Sequence, residues 1–146
     1  MLLNRATAKT PIWSNSAVSG NISPRIWKEL FFMPLVIQSK QMQPDITILE
    51  MTGRITMGND CRQIEWTTKK LADENHRKII FDLTGVTHID STGIGIIVMV
   101  AGQMKKAGGE LRLAAANQHI EQLLKMTNVD QIVKLHSTTE AAAAAL

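Results

Sequence analysis

The sequence predicts an α/β domain with a mixed, mostly parallel sheet of about five strands and about four helices. Short β-branched runs alternate with longer segments of helical periodicity from residue 35 onwards. The strand predicted at 77–83 contains the consecutive apolar residues Ile79, Ile80 and Phe81, which is typical of a central strand covered on both faces. Strands that alternate with helices favour parallel pairing through right-handed crossovers. A doubly covered sheet is therefore the expected architecture.

The domain is predicted to begin with a hairpin. Residues 35–41 have the pattern of a first strand, and Pro44-Asp45 supplies turn chemistry. Residues 46–51 form the second strand, which ends near Gly53. This antiparallel start makes the predicted sheet mixed.

Two helices and a strand are predicted for the middle of the chain. Gly58-Asn59-Asp60 favours a helix start, and residues 61–74 carry apolar side chains at helical spacing. The third strand follows at 77–83. Residues 93–106 include enough β-branched side chains for a strand, but their length and their lysine-then-glycine ending favour a helix.

The C-terminal part continues the alternation. Residues 110–115 are predicted as the fourth strand, and Asn117 is a good N-cap for a third helix. Residues 132–135 are predicted as a short fifth strand. The segment from Ser137 to Glu140 has capping-box spacing and opens an alanine-rich last helix. The predicted order is β-β-α-β-α-β-α-β-α.

Composition and charge argue against several classes of function. The single Cys61 excludes an internal disulfide and fits a cytoplasmic protein, and the four histidines have no close ligand spacing. No apolar run reaches the roughly 20 residues of a membrane span. The net charge of +3 lies entirely in residues 1–32, so the balanced remainder offers no basic stripe for nucleic acid. We expect neither a metal site nor a bound cofactor.

Residues 1–32 are predicted to be a disordered leader, with the domain at 33–146. The leader is rich in Ser, Asn, Thr and Ala and shows no sustained periodicity. Its acid-poor, serine-rich composition resembles an organelle transit peptide. Met33 leads directly into a strand pattern, so a reading frame that starts too early is the interpretation favoured over a transit peptide.

The segment Asp90-Ser91-Thr92-Gly93-Ile94-Gly95 contains the most informative residues. It lies between a buried strand and a helix, so Ser91 stands at the mouth of the helix. Unpaired N–H groups and partial positive charge favour an anion there. A serine in this place is either an N-cap or an acceptor of phosphate.

This segment, with the strand Lys78-Ile79-Ile80-Phe81-Asp82-Leu83 before it, resembles the STAS domain family, and more narrowly the bacterial anti-sigma factor antagonists. The resemblance covers about residues 35–145 and implies a STAS-like fold. It implies a binding switch rather than an enzyme. Such antagonists bind an anti-sigma factor that is also a serine kinase, and so free a sigma factor. Phosphorylation, here of Ser91, ends the complex, and a phosphatase resets it; ATP belongs to the kinase.

Other site residues follow from the same resemblance and from the helix pattern. Asp90, Thr92, Gly93 and Gly95 frame the switch serine, and Thr92 is the alternative acceptor. Two glycines lower the steric profile, so another protein's backbone can approach closely.

The second helix is apolar on most of its sides. Ile96 and Met99 are therefore predicted to form part of a partner-docking surface beside Ser91, with internal packing as the alternative. Thr56 stands where many antagonists carry an acidic residue, with Asn59 or Asp60 as nearby substitutes. This departure bears on the partner and on phosphate transfer rather than on the fold.

Three rival functions are weighed. A nucleophilic serine needs the Gly-x-Ser-x-Gly elbow, but Ile89 stands two residues before Ser91. A nucleotide site needs a third glycine or a phosphate loop, and the segment 93–98 has neither. The alternative within the same fold is a STAS accessory subunit of a lipid or anion transport complex.

Overall fold

A computed structural model of the chain describes residues 35–42 and 44–146, in which five strands form one mixed sheet. The strand order in space follows the sequence. The first pairing is antiparallel and the other three are parallel. The strands are β1 (Val36–Met42), β2 (Ile46–Ile55), β3 (Lys78–Ile89), β4 (Glu110–Ala114) and β5 (Leu135–His136).

Four α-helices follow strands in the described part of the chain, and the order of elements is the predicted one. Both the α/β class and the mixed sheet are thus confirmed. None of the described helices is long and apolar enough to cross a bilayer. The helices are α1 (Asn59–Asp73), α2 (Ser91–Lys106), α3 (Gln118–Met126) and α4 (Thr139–Ala144).

The sheet separates two apolar layers, and β3 contributes to both. Ile79, Phe81 and Leu83 lie in the larger layer, which α1, α2 and α3 cover. Ile80 points the other way and packs in the smaller layer with Ala142 of α4. Side chains alternate between faces along a strand, so an apolar run needs cover on both sides. This explains the three consecutive apolar residues Ile79, Ile80 and Phe81 of β3.

β3 is longer than predicted. It continues beyond residue 83 because its parallel pairing with β2 runs on to the register Ile55–Ile89. The stretch from Thr84 to His88 contains a glycine and three polar residues, which favour a loop when read alone. Pairing with a neighbouring strand overrides that local preference.

The predicted fifth strand at 132–135 is wrong in most of its length. Val129–Gln131 form a 3-10 turn, and the backbone N–H groups of Ile132 and Val133 both donate to the Val129 carbonyl at 2.9 Å. These bonds keep the chain helical past residue 131. Only Leu135 and His136 pair with β4.

Two helix caps are confirmed and one is displaced. Asn117 Oδ1 accepts from the Ile120 N–H at 2.9 Å, and α1 begins after Gly58 as expected. The last helix is capped by Thr138, whose hydroxyl accepts from the Ala141 N–H at 3.0 Å. The predicted capping box, which begins at Ser137, is therefore wrong by one residue, because the N-cap is Thr138. The leader predicted at 1–32 lies outside the described residues.

Candidate functional site

The carboxyl ends of β2 and β3 carry the candidate site. The strands end side by side at Ile55 and Ile89, and α1 and α2 begin shortly after them. Ser91 is the first residue of α2 and is exposed. Its hydroxyl forms no hydrogen bond with residues 35–42 or 44–146. A group added to this oxygen would break no contact within that part of the fold.

Asp90, and not Ser91, is the N-cap of α2. Its backbone is extended, with φ −95°, and its Oδ1 accepts from the Gly93 N–H at 2.8 Å. Its Oδ2 accepts from the Met57 N–H at 2.9 Å, and its own N–H donates to the Ile55 carbonyl at 3.2 Å. The interpretation of Ser91 as the cap is therefore wrong. The Asp90 carboxylate ties the loop after β2 to the first turn of α2.

The two glycines of the motif have different roles. A Cβ at Gly93 would overlap the Ile55 carbonyl oxygen and would lie 2.9 Å from methyl groups of Ile55 and Ile89. Gly93 is therefore required for the close approach of α2 to the strand ends. Gly95 is exposed, and a Cβ there would meet nothing within 4 Å. The fold does not need glycine at 95, which leaves the helix backbone open to an outside contact.

A carboxylate lies beside Thr56 although residue 56 is not acidic. The Thr56 hydroxyl donates to Asp60 Oδ2 at 2.9 Å, and Asp60 Oδ1 accepts from the Leu35 N–H at 3.3 Å. Of the two predicted substitutes, Asp60 is the one that reaches Thr56. Asn59 instead accepts from Arg62 at 2.5 Å.

The buried Cys61 lies in this acidic environment. Its thiol donates to the Thr56 carbonyl at 3.2 Å. Burial raises the pKa of the thiol, and the charges of Asp90, Asp60 and Glu65 raise it further. The thiol therefore stays protonated and poorly nucleophilic.

Met57 belongs to this edge and was missed in the sequence. Its side chain is 74% exposed, and its backbone is fixed by Asp90. Gly58 follows with φ +105°, a conformation that favours glycine. The sequence signal that could have identified Met57 is an apolar residue directly before a glycine, in the loop that follows a strand.

The predicted docking residues of α2 are only partly accessible. Ile97, Val100 and Met104 are buried along the core side of the helix. Ile96 is half-buried and packs against the larger core layer, and Met99 is half-buried. Each side chain therefore offers only part of its surface to a partner. Thr92 is exposed, beside Ser91.

Within the described ranges, no three His, Cys, Asp or Glu side chains are grouped so that they could hold a metal ion. This edge presents the exposed residues Ser91, Thr92 and Met57 and the open backbone at Gly95.

Comparisons with known proteins identify relatives of the whole domain. The STAS domain model matches residues 38–142. A protein of Thermotoga neapolitana, provisionally named an anti-sigma factor antagonist, is 30% identical over 98 residues, which cover 67% of this chain and 87% of that protein. The crystal structure of a Thermotoga maritima protein with the same provisional name has a TM-score of 0.68 at 28% identity, over 74% of this chain and 92% of that chain.

A more distant likeness concerns the fold alone. The Bacillus cell fate determinant SpoIIAA, solved in its phosphorylated form, has a TM-score of 0.59 at 14% identity. The match covers 75% of this chain and 97% of that one. The likeness therefore spans nearly all of SpoIIAA.

Proposed function

The chain belongs to the STAS domain family, and we propose that it is an anti-sigma factor antagonist switched at Ser91. In this proposal the unmodified protein binds, in the cytoplasm, an anti-sigma factor that is also a serine kinase, and so releases a sigma factor. Phosphate on Ser91 ends that complex, and a phosphatase restores it. The names of the Thermotoga relatives support the class of partner.

The exposed and unbonded hydroxyl of Ser91 is the observation that carries the proposal. Because Asp90 caps α2, the serine oxygen is left for chemistry with a partner. A kinase would join the γ-phosphorus of ATP to this oxygen, release ADP, and take the hydroxyl proton on a base of its own. SpoIIAA, which shares the fold, has been solved in a phosphorylated form.

The engagement of Asp90 supports a passive acceptor rather than an enzyme. Both carboxylate oxygens accept backbone N–H groups, from Gly93 and Met57. Deprotonating Ser91 with this carboxylate would compete with two bonds that hold the fold. The base is therefore assigned to the kinase.

The charge of a phosphate explains a switch without unfolding. Phosphorylation adds about −1.5 to −2 charges and three strong acceptors. At the first turn of α2, the unpaired N–H groups and the helix dipole tolerate this charge. A docked partner must accommodate or desolvate it, and coupling of about 1–3 kcal/mol changes affinity roughly 5- to 150-fold.

The docking face is proposed to surround Ser91 at the carboxyl edge. Met57 supplies an exposed apolar side chain, and Gly95 supplies open backbone. Thr92 is exposed beside the switch, while Ile96 and Met99 contribute their accessible parts. An apolar anchor inside a polar surround is a common form of protein interface.

Mass spectrometry of the protein from native cells, combined with affinity capture, tests the proposal. We expect phosphate on Ser91, and a kinase-like partner that is captured by wild type and Ser91→Ala but lost with Ser91→Asp. Ser39→Asp adds the same charge at an exposed position of β1 and should retain the partner. Equal capture by wild type and Ser91→Asp would contradict the switch. Phosphate that disappears with Thr92→Ala but persists with Ser91→Ala would move the acceptor to Thr92.

A further inference from the structure

We propose that a groove at the amino edge of the sheet binds a peptide segment of a protein partner, in which carboxylates flank an apolar side chain. The groove has a volume of about 340 Å³. It lies between the last turns of α2, the start of β4, and the segment that leads into β5. Ser91 lies at the other end of α2, whose 16 residues span about 24 Å. This groove is thus separate from the switch.

Part of the lining of the groove is apolar. Ala101 of α2 and Leu111 of β4 line it, together with Ile132. Ile132 is 60% exposed, although its neighbour Val133 is buried. An isoleucine side chain kept in water beside a concave apolar surface offers a site for one apolar side chain of a ligand.

The charges at the groove are positive and uncompensated. Lys105 and Lys134 line it, and neither forms an ion pair with any described residue. Glu110 is the carboxylate in the lining, and the Arg112 guanidinium binds it at 2.5 Å. Two ammonium groups are therefore left to attract carboxylates from outside, which is charge complementarity to an acidic segment.

Other occupants fit less well. Residues 1–32 carry four basic residues and only one acidic residue, so the lysines would repel them. A symmetric contact between two copies would bring the same lysines together. The volume is at the low end of the 300–1,000 Å³ that is usual for small-molecule pockets, and the groove is open along one side. An extended peptide fits this shape better than an enclosed ligand.

NMR titration of the full-length ¹⁵N-labelled chain tests the proposal. The probe is the peptide acetyl-Glu-Asp-Leu-Leu-Asp-Glu-amide, and the matched peptide carries lysine in place of each acid. We expect saturable shifts of the Lys105, Leu111 and Ile132 amides with the acidic peptide only. The double variant Lys105→Glu, Lys134→Glu should raise Kd at least tenfold, and Ile132→Ser at least threefold. Ser91→Asp should leave Kd unchanged.

A second double variant controls for net charge. Lys69→Glu with Lys125→Glu makes the same change on α1 and α3, outside the groove, and should leave Kd unchanged. Equal binding of the lysine peptide, scattered shifts, or no effect of Ile132→Ser would overturn the proposal. Binding to phosphatidylglycerol vesicles that needs Lys105 and Lys134, without peptide shifts, would also overturn it and assign the groove to a membrane surface.

Discussion

The side chain of Asp90 accepts a hydrogen bond from the backbone N–H of Met57 at 2.9 Å, across 33 positions of sequence. The same carboxylate caps α2 through Gly93. A single side chain therefore fixes the loop after β2 relative to the first turn of α2. The exposed side chain of Met57 and the Ser91 hydroxyl are held on one edge of the sheet as a result.

Removing the Asp90 carboxylate should destabilise the domain. Asp90→Ala leaves the Gly93 and Met57 N–H groups without their acceptors, so we expect a loss of about 1–3 kcal/mol in the free energy of unfolding. Asp90→Asn keeps one oxygen for the cap and should lose about half as much. Urea denaturation followed by circular dichroism measures both. A loss below about 0.3 kcal/mol for Asp90→Ala would show that these bonds add little.

The glycines of α2 should respond to alanine in opposite directions. Gly93→Ala places a methyl group against the Ile55 carbonyl, and we expect it to lower the free energy of unfolding by about 1–3 kcal/mol. At Gly102 a Cβ would meet nothing within 4 Å. Gly102→Ala should therefore raise the free energy of unfolding by about 0.5–1 kcal/mol through the higher helix propensity of alanine. Chemical denaturation of the two variants in parallel checks the pair. A similar destabilisation by both would argue against the described packing of α2.

A negative charge at Ser91 should leave the domain folded and slightly more stable. The carboxylate in Ser91→Asp faces the positive end of the α2 dipole, which is worth about 0.3–1 kcal/mol at low ionic strength. The gain should shrink in 1 M salt because of screening. Thermal melts at both salt concentrations measure it. A broad, uncooperative melt would indicate that charge at this position unfolds the helix and that the switch is not local.

Stability should fall in mild acid because of His136. Its Nε2 lies 3.2 Å from Arg112 Nη1. Burial lowers the pKa of the imidazole, as do Arg112 and Lys134, while Glu110 acts in the opposite direction. The unfolded chain then binds the proton more readily, so stability decreases as the pH falls below the ordinary value of 6.5 and towards the lower folded pKa.

The matched variants for this effect are His136→Gln and His119→Gln. Equilibrium unfolding between pH 7.5 and 5 should show a shallower pH dependence for His136→Gln than for wild type. His119 is exposed, and its substitution should leave the slope as it is. Parallel slopes for wild type and His136→Gln would exclude His136 as the source.

Two exposed methionines provide a test of the docking face. Met57 and Met126 are 74% and 80% exposed, but only Met57 lies at the carboxyl edge, while Met126 ends α3. Met57→Lys should weaken capture of the kinase-like partner at least tenfold, and Met126→Lys should leave it unchanged. Melting temperatures should agree within a few degrees. Equal effects of the two substitutions would point to general surface charge instead of a specific interface.

The order of strands and helices could be predicted because each element has its own pattern of apolar, turn and capping residues. The apolar run of β3 and the Asn117 cap depend on neighbours within a few residues. The end of β3 could not be predicted, since Thr84 and Gly85 favour a loop and the strand continues through the pairing of β2 with Gly85 and the residues after it. The 3-10 turn before β5 likewise depends on which carbonyl the Ile132 N–H reaches.

The strand-to-helix turn that carries the candidate site could be predicted from the sequence, but the hydrogen bonds within that turn could not. Asp90 and Ser91 are both residue types that cap helices. Which of them caps α2 depends on a carboxylate whose Oδ1 accepts from the Gly93 N–H while its Oδ2 accepts from the Met57 N–H, and the second of these bonds exists only in the folded chain. The Asp60 carboxylate beside Thr56 depends in the same way on the first turn of α1.

The unequal lengths of β3 and β4 decide how another molecule can reach Ser91. β4 accompanies β3 only as far as Asp82, and from there to Ile89 the described neighbour of β3 is β2 alone. Seven residues of extended chain measure about 23 Å. Ser91 therefore follows a two-stranded part of the sheet, whose side chains Val86 and Ile89 are buried in the larger apolar layer. A kinase that modifies Ser91, as proposed, would approach beyond the last paired residue of β4, so its contacts near the serine would come from the ends of β2 and β3 and from the first turns of α1 and α2.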